Sequence, residues 1–251
     1  MQFNRPIAMS IAGMDPCGGA GLLADVKTFE QHKVYGLGVS TAQTLQTENE
    51  FLSIRWEEEV NVIQAVHHML ESYEVSAAKI GIVESIEALY NIVSAIHSSN
   101  PDIKIIVDPV IRSTTEFNFW SKGVDESLFE ELLRKITLIT PNYKEVVQLT
   151  NNINAKQAAQ RLSEYCAVLL KGGHNDEEQG VDYLYITGAV KRLDPDVVTV
   201  FPKHGSGCVL SAAIASNLAL GLHLTTACIK AKAFTEKFLI SNPSLLGYHV
   251  S

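Results

Sequence analysis

Short runs of β-branched and aliphatic residues alternate along this chain with stretches in which apolar residues recur every three or four positions. That alternation leaves few architectures open, because each strand–helix unit can bury its apolar faces only against further units of the same kind. Residues 7–11 lead through a glycine-rich turn into a helical stretch at 22–32, with Leu23, Val26 and Phe29 to one side. A helical pattern at 57–74 runs into a strand at 77–83, another at 86–97 into 103–107, and a third at 128–135 into 138–140. Strands that are apolar throughout belong to a parallel sheet covered on both faces. The pattern predicts an α/β chain of three layers, with helices on both sides of a mostly parallel central sheet. Toward the end, residues 182–187 and 190–193 alternate around Gly188 and Ala189, which reads as a β-hairpin. HGSGC at 204–208 and a long apolar helix at 209–221 follow. No repeat, low-complexity tract or linker interrupts the pattern, so residues 1–251 read as one domain.

Composition narrows the partners. The 251 residues are 46% hydrophobic and 19% charged, enough apolar material for one sizeable core without metal or membrane support. A formal net charge of −8 leaves no basic field for a nucleic-acid backbone, although small anions can still be held by local N–H groups and lysines. Cys17, Cys166, Cys208 and Cys228 are scattered without metal-ligand spacing, which argues against a disulfide framework or structural zinc and fits a reducing, cytoplasmic setting. The apolar run at the start is too short for a signal peptide, and no stretch approaches the roughly 18 apolar residues of a membrane span.

Ligands of an open parallel sheet bind beyond the carboxyl ends of its strands, so the junctions there carry the chemistry. In the first junction, Gly13, Pro16, Gly18, Gly19 and Gly21 precede a helix, which allows close backbone approach to a ligand; a flexible strand-to-helix turn explains them as well. The loop is neither GxGxxG nor a P-loop. Asp108-Pro109-Val110 ends the next strand, followed by a polar stretch at 112–118, and a carboxylate there needs a cleft, a partner or a metal unless it merely starts a turn. Asn142 and Glu145 have capping-box spacing, and the same oxygens suit a hydrated Mg²⁺. Lys171, before Gly172 and Gly173, is placed to reach phosphate or to be a solvated strand-end lysine. Gly205, Ser206, Gly207 and Cys208 precede a long helix whose free N–H groups favour an anion. The same dipole is expected to lower the pKa of Cys208, unless that side chain is simply a packed small hydrophobe.

In this order the segments resemble the ribokinase-like fold and, within it, the hydroxymethylpyrimidine/phosphomethylpyrimidine kinase family. The carrying strings are SIAGMDPCGGAGLLADVKTF (10–29), YGLGVSTAQTLQ (35–46), KIGIV (79–83), VDPV (107–110), LITPNYKE (138–145), LLKGGH (169–174) and HGSGCVLSAAIAS (204–216). The resemblance implies ATP-dependent phosphorylation of 4-amino-5-hydroxymethyl-2-methylpyrimidine in thiamine synthesis, with its monophosphate as a further candidate acceptor. ATP and Mg²⁺ would be the cofactors, and the family suggests a homodimer. By the same resemblance Gly13, Asp25 and Gln46 hold the aminopyrimidine, and Ile82 and Val110 line its apolar face. A primary amide at Gln46 offers a donor and an acceptor side by side, which matches a ring nitrogen and exocyclic amine. Asp108, Asn142 and Glu145 are assigned to the Mg²⁺ and phosphate region, with Asp108 and Glu145 as the metal's carboxylates. Lys171 is assigned to the ATP phosphates, and Gly205, Ser206 and Gly207 to the transferring phosphoryl group. Cys208 thiolate would accept the hydroxyl proton.

The chain departs from the family pattern at Cys17, where Ser is usual, and at Lys203, where Thr is usual. It also reads Gln46-Thr47-Glu48 for Gln-Asn-Thr, and Ile111-Arg112-Ser113 where small residues are expected. Two other readings share these residues. A pyridoxal kinase has the same fold and a hydroxymethyl heteroaromatic substrate, and a non-catalytic pyrimidine-binding protein would keep the pocket without turnover.

Overall fold

The alternation read along the chain resolves into strands and helices in the computed structural model, which describes residues 5–111, 119, 125–150, 154–175, 177–197 and 199–250. The order begins β1 (Ile7–Met14), α1 (Gly21–Gln31), β2 (Tyr35–Gln46), β3 (Phe51–Trp56), α2 (Glu59–Ser72), β4 (Val75–Ile80), α3 (Ile86–Ser99) and β5 (Lys104–Val107). It continues with α4 (Glu126–Leu133), β6 (Leu138–Ile139), α5 (Tyr143–Thr150), α6 (Ala155–Leu162), β7 (Ala167–Leu170), β8 (Asp182–Ile186), β9 (Ala189–Leu193), α7 (Ser206–Ala219) and α8 (Leu224–Ile240). The strands form one sheet in the order β3-β2-β1-β4-β5-β6-β7-β8-β9. From β2 to β7 all neighbours are parallel, while β3 at one edge and β8 and β9 at the other are antiparallel. The expected three-layer, mostly parallel architecture is therefore present. Strand order reverses between β1 and β4, and that switch point is where such sheets place their ligand cleft.

Period-two alternation decides which side chain meets which layer. Ile105 and Val107 of β5 join the core under α2 to α6, and Ile106 joins the opposite core under α1, α7 and α8. In β1, Met9 and Ile11 face the first layer and Ala8 the second, so Ser10 falls on the α1 and α7 side. Its in-register partner across the parallel ladder is Lys79 of β4. A polar column thus lies under α1 and α7 in an otherwise apolar sheet.

Local signals explain most helix boundaries. Ser85 Oγ accepts from Ala88 N at 3.1 Å at the start of α3, whose buried residues Ile86, Leu89, Ile92, Val93 and Ile96 form one stripe against the sheet. Asp125 and Asn154 cap α4 and α6 in the same way. α7 is buried from Val209 to Leu218, as suits a helix apolar all round and packed between the sheet, α1 and α8.

Sequence periodicity did not reveal the β2–β3 hairpin, because β3 is half exposed and its alternation is short. The β8–β9 hairpin is present, but Ala189 already belongs to β9, so Thr187 and Gly188 make the turn and Gly188 takes φ +76°. The polar stretch at 112–118 lies outside the described residues. Among the described residues no helix is long and apolar enough to cross a membrane.

Candidate active site

Two loops from opposite ends of the chain meet backbone to backbone. A Cβ at Gly205, where φ is +77°, would lie 2.0 Å from Gly19 O, and one at Gly21, φ +55°, would lie 2.2 Å from Gly13 O. Neither position admits a side chain, so the 13–21 loop closes directly on the start of α7. Asp15 locks the junction. Its carboxylate accepts from Cys17 N, Cys17 Sγ, Gly19 N and Ala20 N at 2.8–3.2 Å, and its Oδ2 lies 3.0 Å from His204 Nε2. Burial works to raise the Asp15 pKa, but His204, Cys17 and Ala20 outweigh it and bring the carboxyl down to about 2. Burial, with Asp15 adding to it, pushes the Cys17 thiol up to about 11. Asp15, Cys17 and His204 are close enough together to hold a metal, yet these hydrogen bonds account for their geometry.

The first turn of α7 opens onto a charge cluster drawn from three strand ends. Asp108 N donates to Ile80 O at 2.9 Å and Lys171 N to Pro141 O at 2.9 Å, which fixes both residues at the sheet's carboxyl edge. Lys171 Nζ donates to Asp108 Oδ1 at 2.7 Å and lies 3.8 Å from Glu145 Oε2. Thr140 Oγ1 and Ser211 Oγ donate to the two Asp108 oxygens, each at 3.2 Å. A Cβ at Gly207 would be 3.4 Å from Lys171 Nζ and 3.7 Å from Asp108 Oδ2, so the free amides of the helix start lie beside this pair. Burial works to raise Asp108, but Lys171, Lys79 and Ser211 hold it below the ordinary carboxylate range. Burial works to lower Lys171, but Asp108 and Glu145 hold it above an ordinary lysine.

Asn142 and Glu145 form the expected capping box at α5. Asn142 Oδ1 accepts from Lys144 N and Glu145 N at 2.9 Å, and Glu145 Oε2 accepts from Asn142 N at 2.7 Å. Both residues also line the cleft. Burial, reinforced by Asp108, pushes Glu145 up to about 7 against the pull of Lys171. Two carboxylates facing one ammonium form a hard oxygen donor set beside an anion-binding helix start, which suits a hydrated Mg²⁺ shared with phosphate.

The structure overturns the expected Cys208 shift and places Asp25 away from the cleft surface. Cys208 does sit at the α7 start, with the Gly21 N–H directed at its sulfur, but its thiol is pushed up to about 11 rather than lowered. Burial dominates, and the repulsion of Asp25 and Asp108 offsets the help of Lys79 and the amide. The resting side chain is therefore a thiol. Asp25, expected against the aminopyrimidine, is fully buried and does not line the cleft. It accepts from Lys79 Nζ at 2.8 and 3.0 Å and from Ser10 Oγ at 2.5 Å. Burial keeps Asp25 above the ordinary carboxylate range despite these donors, and Asp25 keeps Lys79 high despite its own burial. Asp25 reaches the site only through Lys79, which does form part of the cleft lining.

The cleft has a volume of about 1200 Å³. A single drug-sized ligand site spans roughly 300–1,000 Å³, so two molecules can be accommodated. Gly13, Gln46, Ile82 and Val110 line one arm. A Cβ at Gly13 would lie 2.3 Å from Ile82 Cδ1, which keeps that wall flat. Phe51 and Phe119, edge to face at 5.7 Å, complete it. Lys171, Gly205, Ser206, Gly207 and Cys208 occupy the centre, and the other arm runs along Pro195, Val197, residues 199–203 and α8. Asp15, Lys79, Phe51 and Phe119 were not singled out by motif. The column of Ser10 and Lys79 was discoverable, since each interrupts an apolar strand, whereas the aromatic pair depends on the unforeseen hairpin.

Residues 15–250 match the family model described as phosphomethylpyrimidine kinase. The chain is 34% identical over 236 residues to the hydroxymethylpyrimidine/phosphomethylpyrimidine kinase of Rhizobium meliloti, covering 91% of this chain and 88% of that protein. Among solved structures, phosphomethylpyrimidine kinase from Clostridium difficile superposes with a TM-score of 0.77 at 31% identity, covering 92% of this chain and 98% of that one. Pyridoxal kinase from Staphylococcus aureus in complex with AMP-PCP gives 0.81 at 26% identity, covering 94% and 89%.

Proposed function

The chain belongs to the phosphomethylpyrimidine kinase family, and from that premise we propose that its cleft carries a phosphoryl group from ATP to the hydroxymethyl oxygen of 4-amino-5-hydroxymethyl-2-methylpyrimidine, in thiamine synthesis. The monophosphate of that alcohol is the second acceptor in this reading, and residues 1–251 act as one kinase unit. The observation that carries the reading is the meeting of the α7 start with Lys171 and Asp108 at the centre of a cleft with an arm on each side.

Phosphoryl transfer passes through a loose transition state, so positioning and charge neutralisation supply most of the catalysis. The amides of Ser206, Gly207 and Cys208 face the equatorial oxygens of the moving group. Lys171 turns from Asp108 toward the ATP phosphates, while Asp108 keeps the hydroxyls of Thr140 and Ser211. Asp108 and Glu145 are the carboxylates that would hold Mg²⁺, which supplies further neutralisation of phosphate charge when bound. Gln46 pairs with the aminopyrimidine edge, with Gly13, Ile82 and Val110 against its ring. The hydroxyl proton passes to the thiolate form of Cys208, which the high pKa makes the minority at neutral pH.

ADP release measured with the aminopyrimidine alcohol, its monophosphate and pyridoxal as acceptors tests this reading. Turnover is expected to be fastest with the alcohol. Release that ignores the aminopyrimidine, or that prefers pyridoxal, would overturn it.

A further inference from the structure

The arm of the cleft beyond Lys171 contains a buried carboxylate oxygen that has an ion-pair partner but no short hydrogen bond. On α8, Lys232, Glu236 and Leu239 project along one stripe into the cleft. Lys232 fixes the inner end of the stripe. Its Nζ donates to Asp182 Oδ2 at 2.9 Å, and Asp182 Oδ1 accepts from Gly172 N, the residue after Lys171, at 2.8 Å. Glu236 lies one helical turn, about 6 Å, farther along α8, and Leu239 lies beyond it. Pro195, Val197 and Val200 make the facing wall apolar.

Glu236 is 6% exposed. Its Oε2 accepts from Asp196 N at 3.1 Å, while its Oε1 is buried with no hydrogen-bond partner. Lys232 Nζ forms an ion pair with Oε1 at 3.5 Å, while its short hydrogen bonds go to Asp182 and the Gly180 carbonyl. A desolvated acceptor held only by one long ion pair inside a ligand cleft has room for a closer donor that arrives with the ligand.

Resting on the reading that nucleotide phosphates sit at Lys171 and the α7 start, we propose that Glu236 Oε1 accepts the 6-amino group of the nucleotide's purine and makes the enzyme select adenine over guanine. With the acceptor alcohol in the Gln46 arm, the base can only lie in the α8 arm. There Leu239, Val197 and Val200 offer a shelf for a flat ring, and the carboxylate is the polar group at its edge. A carboxylate only accepts and an exocyclic amine only donates, so the two are matched. Guanine presents a carbonyl oxygen at the same position, acceptor against acceptor.

The test compares wild type with Glu236→Gln on ATP, GTP and 2′-deoxy-ATP, by kcat/KM with the aminopyrimidine alcohol and by calorimetric nucleotide binding without any acceptor. In the variant one terminal atom must still accept from Asp196 N. The amide oxygen takes that place and the NH₂ turns to the base, which reverses the polarity offered to it. The ATP-to-GTP preference is expected to fall by about tenfold or more, from both weaker ATP and stronger GTP use. The ratio of 2′-deoxy-ATP to ATP and the KM of the alcohol should stay unchanged. An unchanged ATP-to-GTP ratio would overturn the proposal, as would a shift confined to 2′-deoxy-ATP, which would make Glu236 a ribose contact. If the variant does not fold, the wild-type arm decides, because equal binding of ATP and GTP would also overturn it. Binding of ATP without turnover on the aminopyrimidine would instead count against the reading of the acceptor.

Discussion

Two of the chain's aspartate–lysine pairs share nearly the same contact and have opposite surroundings. Asp25 and Lys79 meet at 2.8 Å with both side chains 0% exposed, and Asp108 and Lys171 meet at 2.7 Å with Lys171 14% exposed. In the sealed pair Lys79 makes two bonds to one carboxylate that Ser10 also satisfies, so nothing is free to rearrange. In the open pair Lys171 holds Asp108 by one short bond and Glu145 by one long contact, and it faces the cleft. Its partner would stay hydrogen-bonded if Lys171 turned to a phosphate. The same chemistry therefore sets positions where it is enclosed and exchanges partners where one side is open.

Removing one half of the sealed pair should break the fold more than the reaction. Lys79→Met leaves a buried carboxylate without its cation and is expected to cost about 3–5 kcal/mol in urea unfolding. Asp25→Leu added to Lys79→Met should recover most of that loss, because a matched apolar pair of similar volume is often neutral. Full stability of the single variant would erase the distinction between the pairs.

Cys208 is felt by both pairs, since Lys79, Asp25 and Asp108 all act on its thiol. Cys208→Ser is expected to keep the unfolding midpoint and nucleotide binding while kcat falls by roughly 10²–10⁴-fold. The pH profile sharpens this. A thiol at about 11 yields more thiolate as pH rises, so wild-type kcat should climb through the neutral and alkaline range, and the serine variant should lose that slope. Near wild-type turnover in the variant would return Cys208 to packing.

Lys171→Ala should do the reverse of the Lys79 change. Loss of one donor to developing phosphate charge is expected to cost about 10²–10³-fold in kcat/KM for ATP. The aminopyrimidine's dissociation constant and the unfolding curve should move little. A large stability loss with intact kinetics would show that the two pairs do the same job.

Gln46 touches neither pair and gives the smallest expected effect. Gln46→Leu should lower kcat/KM for the aminopyrimidine by roughly ten- to a hundredfold with ATP affinity unchanged, because it leaves polar edges of the substrate unsatisfied. Equal losses on pyridoxal would make Gln46 a support for the loop, not a reader of the ring.

The strand-to-helix alternation from β4 to β6 was legible because parallel strands are buried on both faces and carry an unbroken apolar signal, whereas α6 and α8 were not read from the sequence. The edge hairpin β2–β3 was not, since half-exposed strands dilute that signal. Glycines at 13, 21, 205 and 207 could be read as close approaches of backbone, and the structure shows what each approaches. Position in a motif could not tell whether Asp25 faces ligand or lysine, because its partner Lys79 lies 54 residues away and only strand register brings the two together. The Cys208 shift was misjudged for a related reason. A helix dipole is visible in sequence, whereas burial and the carboxylates of Asp25 and Asp108 are properties of the assembled core.

The contact between Gly19 and Gly205 also orders events in time. A ribosome releases roughly 5–20 residues per second, and domains tend to form from the N-terminus as the chain emerges. The strands β1 to β7 can pair before residues 204–219 appear, but the 13–21 loop then has no wall to rest on, and Ser10, Lys79, Ala8, Ala77 and Ile106 lie bare where α7 will pack. The nascent protein thus passes through a stage with a formed sheet and an open sticky flank, the kind of surface that chaperones bind. A chain cut short before residue 204 would remain at that stage, folded in part and devoid of activity.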